Sequence, residues 1–284
     1  MINKKIGLAL GGGGARGMAH LGVLHHFETL NLRPDILSGT SAGAIVASLY
    51  AYGISIHQIS EELQKIRPTS FTGLKLNELG FFLNSDLEKM LRKLLPENAK
   101  IQDAPIPFAI HTTDIETGQG ITLIEGNVIN AVLASCCVPG IYIPQKINGL
   151  TLVDGGLTEN VPISGLKKLK ANIMIAVNLN GNERYRHPEN VFDILSNSLD
   201  IAIDGQTRKQ LKEADINISM DLTSFSRFQV EKSQELFDRG QLAAEKALKS
   251  SRSIQFKYRV SKWKHRFEKL TPLKVPNILR RDDR

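Results

Sequence analysis

At 284 residues and 42% hydrophobic content, the chain can bury one sizeable core and does not require a second domain. Its two cysteines, the adjacent Cys136 and Cys137, exclude a disulfide framework and fit a reducing compartment in which both serve as buried small hydrophobes. The net charge of +7 belongs to the C-terminus: residues 249–284 hold twelve Lys/Arg against three Asp/Glu, and the body is left slightly acidic.

The N-terminal apolar run is too short for a signal-peptide core or a membrane span, which places the protein in the cytoplasm. Lys5 to Leu10 reads as a short strand that enters Gly11-Gly12-Gly13-Gly14-Ala15-Arg16-Gly17. A helix follows to about Leu30, with Met18, Leu21, Leu24 and Phe27 on one face. Such a loop aims several backbone N–H groups at one point near the positive end of a helix, and so favours negative charge there, either a phosphate or an oxyanion. No Lys-Ser or Lys-Thr pair follows the last glycine, as a Walker loop would need. A nucleotide-binding regulator remains the alternative class.

Gly39-Thr40-Ser41-Ala42-Gly43 lies between the apolar Ile36-Leu37 and a small-residue helical run from Ala42 to about Tyr52. Strand, sharp turn and helix around G-x-S-x-G form the setting of a nucleophile elbow, in which Gly39 and Gly43 relieve crowding and Ser41 is the candidate nucleophile. Ile54 to Ile66 reads as a helix. The irregular, apolar 67–83 suits either a loop over the site or a plain connector, and a further helix runs from Asn84 or Ser85 to Leu95. Phe108–Asp114 and Gly120–Glu125 read as paired strands, Asn127–Cys137 as a helix, and Leu150–Val153 as a strand stopping at Asp154-Gly155-Gly156. Beyond these come a buried strand over 173–179, a long helix over 189–211, a short strand over 216–220 and a helix over 231–248.

The alternation predicts an α/β fold, a layered and largely parallel central sheet flanked by helices, occupying 1–248. The tail of 249–284 follows a linker at 249–253. Within it Phe256, Val260, Trp263, Phe267 and Leu270 form one helical stripe among basic residues. This basic amphipathic helix, 254–270, suits peripheral binding to an anionic membrane, on the inner face for a cytoplasmic protein, or packing against the body. Nothing in the chain offers a base-reading element, so no nucleic-acid partner is expected. Neither a metal cluster nor a cofactor motif appears, so neither calcium nor another cofactor is implied.

A serine nucleophile needs a base and donors for the oxyanion. Of the histidines before the tail, only His187 follows both Ser41 and a strand-end acid, as a Ser-Asp-His triad acting on a non-lipid ester would require. Asp154, at a strand end with two glycines after it, is the better candidate base.

These motifs, in this order, resemble the patatin-like phospholipases. The oxyanion loop G-G-G-x-R/K-G stands at Gly12-Gly13-Gly14-Ala15-Arg16-Gly17, the elbow at Gly39–Gly43, D-G-A/G at Asp154-Gly155-Gly156, and S-x-x-x-P at Ser135–Pro139. The resemblance covers roughly residues 5 to 180. It implies a Ser41–Asp154 dyad without a catalytic histidine, an oxyanion hole at Gly12, Gly13 and Gly14, and a phospholipid or other acyl ester as substrate. Arg16 would then orient the loop, bind lipid phosphate or form a structural salt bridge. Partial burial should raise the Asp154 pKa for its work as a base.

Overall fold

The computed structural model describes residues 4–66, 85–181, 185, 187–189, 191–225, 227 and 231–251. The loop expected at 67–83 and the basic helix expected at 254–270 lie outside the described residues.

The first strand, β1 (Ile6–Leu10), is buried along its whole length. Ile6, Leu8 and Leu10 join one apolar cluster and Ala9 another, while Gly7 lies against Leu166 and Ala171. The period of two thus gives the sheet a thick core on one face and a thin one on the other. In chain order the remaining elements are α1 (Met18–Thr29), β2 (Ile36–Gly39), α2 (Ala42–Ala51), α3 (Ile56–Leu63), α4 (Ser85–Leu94), β3 (Phe108–Asp114) and β4 (Gly120–Leu123). Then follow α5 (Val128–Ser135), β5 (Gln145–Ile147), β6 (Leu150–Asp154), α6 (Gly156–Glu159), α7 (Ile163–Lys168), β7 (Ile173–Asn178), α8 (Val191–Leu211), β8 (Ile216–Ser219) and α9 (Ser233–Lys249). Side chains of α1 to α5 and α9 fill the thick side; α7 and Leu211 at the end of α8 cover the thin one.

The strands form one sheet in the order β5-β6-β3-β2-β1-β7-β8, with β4 also paired to β3. The run from β3 to β8 is parallel throughout, whereas β4 and β6 pair with β3, and β5 with β6, in the antiparallel sense. The expected α/β layering and largely parallel sheet are therefore present. Sequence reading had no place for β5, α6 or α7. Three to six residues are too few for either period to show, and each element is held by neighbours distant in sequence.

One detail of register organises the rest. Ile110 of β3 pairs with Gly39 of β2 and with Leu123 of β4, and Thr112 pairs with Ile121 of β4 and with Asp154 of β6. Since β4 holds one edge throughout, β2 and β6 must share the other. They meet on it end to end, two β3 residues apart, or about 7 Å at the usual strand rise.

Among the described residues no helix is long and apolar enough to cross a membrane. Where α1 and α9 cross, glycine faces backbone on both helices. A Cβ on Gly22 would collide with the Phe237 carbonyl, and one on Gly240 with that of Ala19. Gly240→Ala should force the helices apart and destabilise the protein by about 1–3 kcal/mol, read as a lower urea midpoint, whereas Ala substitution of the exposed Leu242 should leave the midpoint nearly unchanged.

Candidate active site

The elbow is formed by β2 running into α2 through Thr40 and Ser41. Ser41 has φ 53° and ψ −121°, outside the regions that a non-glycine residue occupies without strain. Three contacts hold it there. Its N–H donates to the Ser135 hydroxyl at 2.8 Å, and that hydroxyl donates to the His111 carbonyl of β3 at 2.7 Å. The preceding Thr40 hydroxyl donates to the Glu159 carbonyl at 2.9 Å. A Cβ on Gly39 would strike the Gly43 carbonyl, and one on Gly43 the Leu10 carbonyl, so strand and helix can approach this closely only through glycine.

Asp154 closes β6, and its N–H donates to the Cys137 carbonyl at 2.8 Å. One carboxylate oxygen accepts the Gly156 N–H at 2.8 Å, while the Gly155 Cα lies against the His111 carbonyl. The Ser41 hydroxyl lies close enough to the Asp154 carboxylate to favour its ionised form, and both line one cavity. Burial pushes the Asp154 pKa up to about 6, against the opposing pull of the Gly156 N–H, the Ser41 hydroxyl and the Arg227 charge. A buried carboxylate near 6 is ionised at neutral pH and still basic enough to accept a proton.

The glycine loop lies across from this pair. Gly12 is tightly placed: its N–H is taken by the Asn160 backbone and side-chain oxygens, both at 3.1 Å, and a Cβ on it would come within 3.3 Å of Ser41 Cβ. Gly11 donates to Val177 and Ala15 to Arg227. Among the described residues no acceptor takes the N–H of Gly13 or Gly14. These two amides precede the 3₁₀ turn Gly14–Gly17 and α1, at the positive end of the helical segment. Of the three glycines expected as oxyanion donors, Gly12 has its N–H taken by Asn160. Arg16 is buried, with Nε and Nη2 donating to the Phe225 carbonyl, which fastens the loop to the segment after β8.

Ser41, Asp154 and Gly12 to Gly14 line one cavity of about 290 Å³. Its apolar lining includes Val138, Ile141, Leu157, Leu179 and Ile203, and its polar lining Asn180, Tyr185, Asp200, Asp204 and Arg227. Among the described residues no histidine lines it. His187 is exposed in the loop before α8. His20 and His111 are buried, and burial lowers both to a pKa of about 4; His20 Nε2 is bonded to the Gly11 carbonyl, and His111 lies between Thr122 and Thr158. Cys136 and Cys137 are buried, as expected. The Cys136 thiol reaches the Ser41 side chain, but burial and the neighbouring Asp154 raise its pKa, so it stays protonated.

The sequence did not point to Asn160, Arg227 or Asp200. Asn160 follows Asp154 within the same turn region and carries no motif of its own, while the other two are brought to the cavity only by tertiary packing.

The sequence profile of the patatin-like phospholipases matches residues 8–167. An uncharacterised NTE family protein of Mycobacterium tuberculosis is 29% identical over 182 residues, which make up 63% of this chain and 50% of that protein. The lysophospholipase NTE1 of Candida albicans is 32% identical over 204 residues, 69% of this chain and 14% of that protein. The chain thus spans about half the length of the first curated relatives and much less of NTE1. Among solved structures, VipD from Legionella pneumophila is 15% identical at a TM-score of 0.48, covering 86% of this chain and 66% of that one.

Two measurements test the site's construction. Ser135→Ala strips the Ser41 N–H of its acceptor and should destabilise the fold by about 1–3 kcal/mol, with the Ser41 turn loosened; a denaturation midpoint and a crystal structure would report both. The folded chain binds a proton at Asp154 more tightly than the unfolded chain, whose carboxylate keeps the ordinary value of 3.8. Stability should therefore fall as pH rises from about 4 to about 6 and stay reduced above. Asp154→Asn should be the more stable protein at pH 7, by at most about 3 kcal/mol, with the gap closing below about pH 4 in parallel urea titrations.

Proposed function

The chain belongs to the patatin-like phospholipase family, and from that premise we propose that it is a lipid acyl hydrolase working through a Ser41–Asp154 dyad. The observation that carries this reading is the Ser41 hydroxyl beside a buried carboxylate of pKa about 6, inside a cavity partly lined by apolar side chains. Asp154 takes the Ser41 proton as Oγ attacks the ester carbonyl carbon. The oxyanion forms against the Gly13 and Gly14 N–H groups. As the tetrahedral intermediate collapses, the carbon–oxygen bond to the leaving alcohol breaks and the protonated Asp154 returns the proton to that oxygen. The acyl-serine is then attacked by water, from which Asp154 again takes a proton, and the carboxylic acid leaves as Ser41 is re-protonated. The acyl chain lies along Val138, Ile141, Leu157 and Ile203. Among the described residues no histidine lines the cavity; the two buried ones are bonded elsewhere, and His187 is exposed.

Ser41→Ala and Asp154→Asn should each lower kcat on a short-chain p-nitrophenyl ester by about a thousandfold or more, and only Ser41→Ala should abolish labelling by a fluorophosphonate outright. The base acts in its ionised form, so kcat/KM should climb with pH along one limb centred near 6 and level off above about 7. Retention of turnover in Asp154→Asn together with loss in His187→Ala would replace the dyad by a triad.

A further inference from the structure

Among the described residues two arginines line the cavity, and they are differently engaged. Arg16 gives its guanidinium to the Phe225 carbonyl, at 3.1 Å through Nε and 2.9 Å through Nη2. Arg227 arrives from the same segment after β8. Its own carbonyl accepts the Ala15 N–H at 2.8 Å, which seats the residue directly beside the Gly13 and Gly14 amides. Its Nη1 meets the Asp200 carboxylate of α8 at 2.5 Å, and the side chain keeps 29% of its surface exposed. Among the described residues no acceptor takes its Nε or Nη2, and the residue lines the cavity.

Asp200 lies in the field of Arg16 as well as Arg227. The Asp154 carboxylate accepts the Gly156 N–H, and that of Asp204 accepts from the Asn180 amide and the Tyr185 hydroxyl. A planar guanidinium with unused donors, held in place by a carboxylate, matches the oxygens of a phosphate. In a glycerophospholipid only a few bonds separate the ester carbonyl from the phosphorus, so the groups that bind them have to be neighbours. Arg227 lines the same cavity as Ser41 and the glycine loop, and its charge acts on Asp154.

We infer that Arg227, clamped by Asp200, binds the headgroup phosphodiester of a glycerophospholipid while its acyl ester lies on Ser41. This rests on the hydrolase reading above and extends it to a substrate class. Residue 227 lies beyond the residues 8–167 that match the family, so the contact belongs to this chain's own later segment.

The test uses the full chain as wild type, Arg227→Gln and Arg227→Lys. It compares a lysophosphatidylcholine with the monoacylglycerol of the same acyl chain, and fluorophosphonate labelling of Ser41 reports that each protein is folded. Arg227→Gln should lower kcat/KM on the phospholipid by about ten- to a hundredfold more than on the monoacylglycerol, and Arg227→Lys, which keeps the charge but loses the fork, by less. If Arg227→Gln fails to label, Arg227→Lys is judged by the same ratio. A substrate ratio unchanged to within about twofold in a protein that still labels overturns the headgroup contact and leaves the hydrolase standing. Wild-type protein that neither labels nor cleaves either lipid overturns both. Inorganic phosphate that alters monoacylglycerol turnover in wild type but not in Arg227→Gln, with the ratio unchanged, would assign the site to free phosphate instead.

Discussion

Everything at the cavity depends on one shared edge of β3. β2 climbs that edge and stops at Gly39; β6 descends it from the opposite direction and stops at Asp154. Two strands pointing at each other along a common partner leave a gap of about two residues, and into that gap project the side chains at and just beyond their ends. A parallel β6 could not do this, because its C-terminal end would then point the same way as that of β2. The antiparallel pairing in an otherwise parallel run is thus the feature that brings a hydroxyl and a carboxylate from distant parts of the chain to one cavity. His111, between the two paired positions, ties the arrangement together through its main chain. Its carbonyl accepts the Ser135 hydroxyl that holds Ser41 and packs against Gly155.

The arrangement is locally unfavourable, and the surrounding fold sustains it. Ser41 sits at a positive φ that costs a side-chain-bearing residue about 1–3 kcal/mol. Asp154 is a buried carboxylate whose ionised form is disfavoured by desolvation. The restraint comes from either side. Leu8 and Leu10 of β1, Val46 and Leu49 of α2 and Val132 of α5 are fully buried in the thick core, so α2 and the glycine loop cannot relax without opening it. On the thin face the Ser38 hydroxyl donates to the Pro162 carbonyl at 2.6 Å, which secures the β2 end of the elbow to the segment following Asp154.

Much of this was legible because it is periodic or punctuated. The apolar run of β1, the glycine spacing around Ser41 and the strand-stopping Asp154-Gly155-Gly156 are local patterns, and local patterns survive in a sequence. The α/β class followed from the same patterns in series. What escaped depends on register. Gly12 looks like a donor in the sequence, and only the fold shows Asn160 taking its N–H from two directions. Ser135 was part of a motif, but nothing local says that its hydroxyl stands between Ser41 and the β3 main chain. Arg227 and Asp200 have no spacing relation to the elbow at all; the packing of α8 and the segment after β8 against the glycine loop brings them there.

The basicity of Asp154 is a balance, and one weight in it is movable. Burial raises the pKa, while the Gly156 N–H, the Ser41 hydroxyl and Arg227 lower it. The first two of these belong to the backbone turn and to the nucleophile itself, so they are fixed in the resting site. Arg227 acts from a distance, through its charge. A phosphodiester drawn to that guanidinium brings a negative charge that offsets it, and the pull of Arg227 on Asp154 weakens. Filling the polar side of the cavity would therefore strengthen the base at the moment an ester reaches Ser41, and an ester without a phosphate would meet a weaker one. Headgroup binding and proton transfer would in this way be coupled by electrostatics, with no movement of the backbone required.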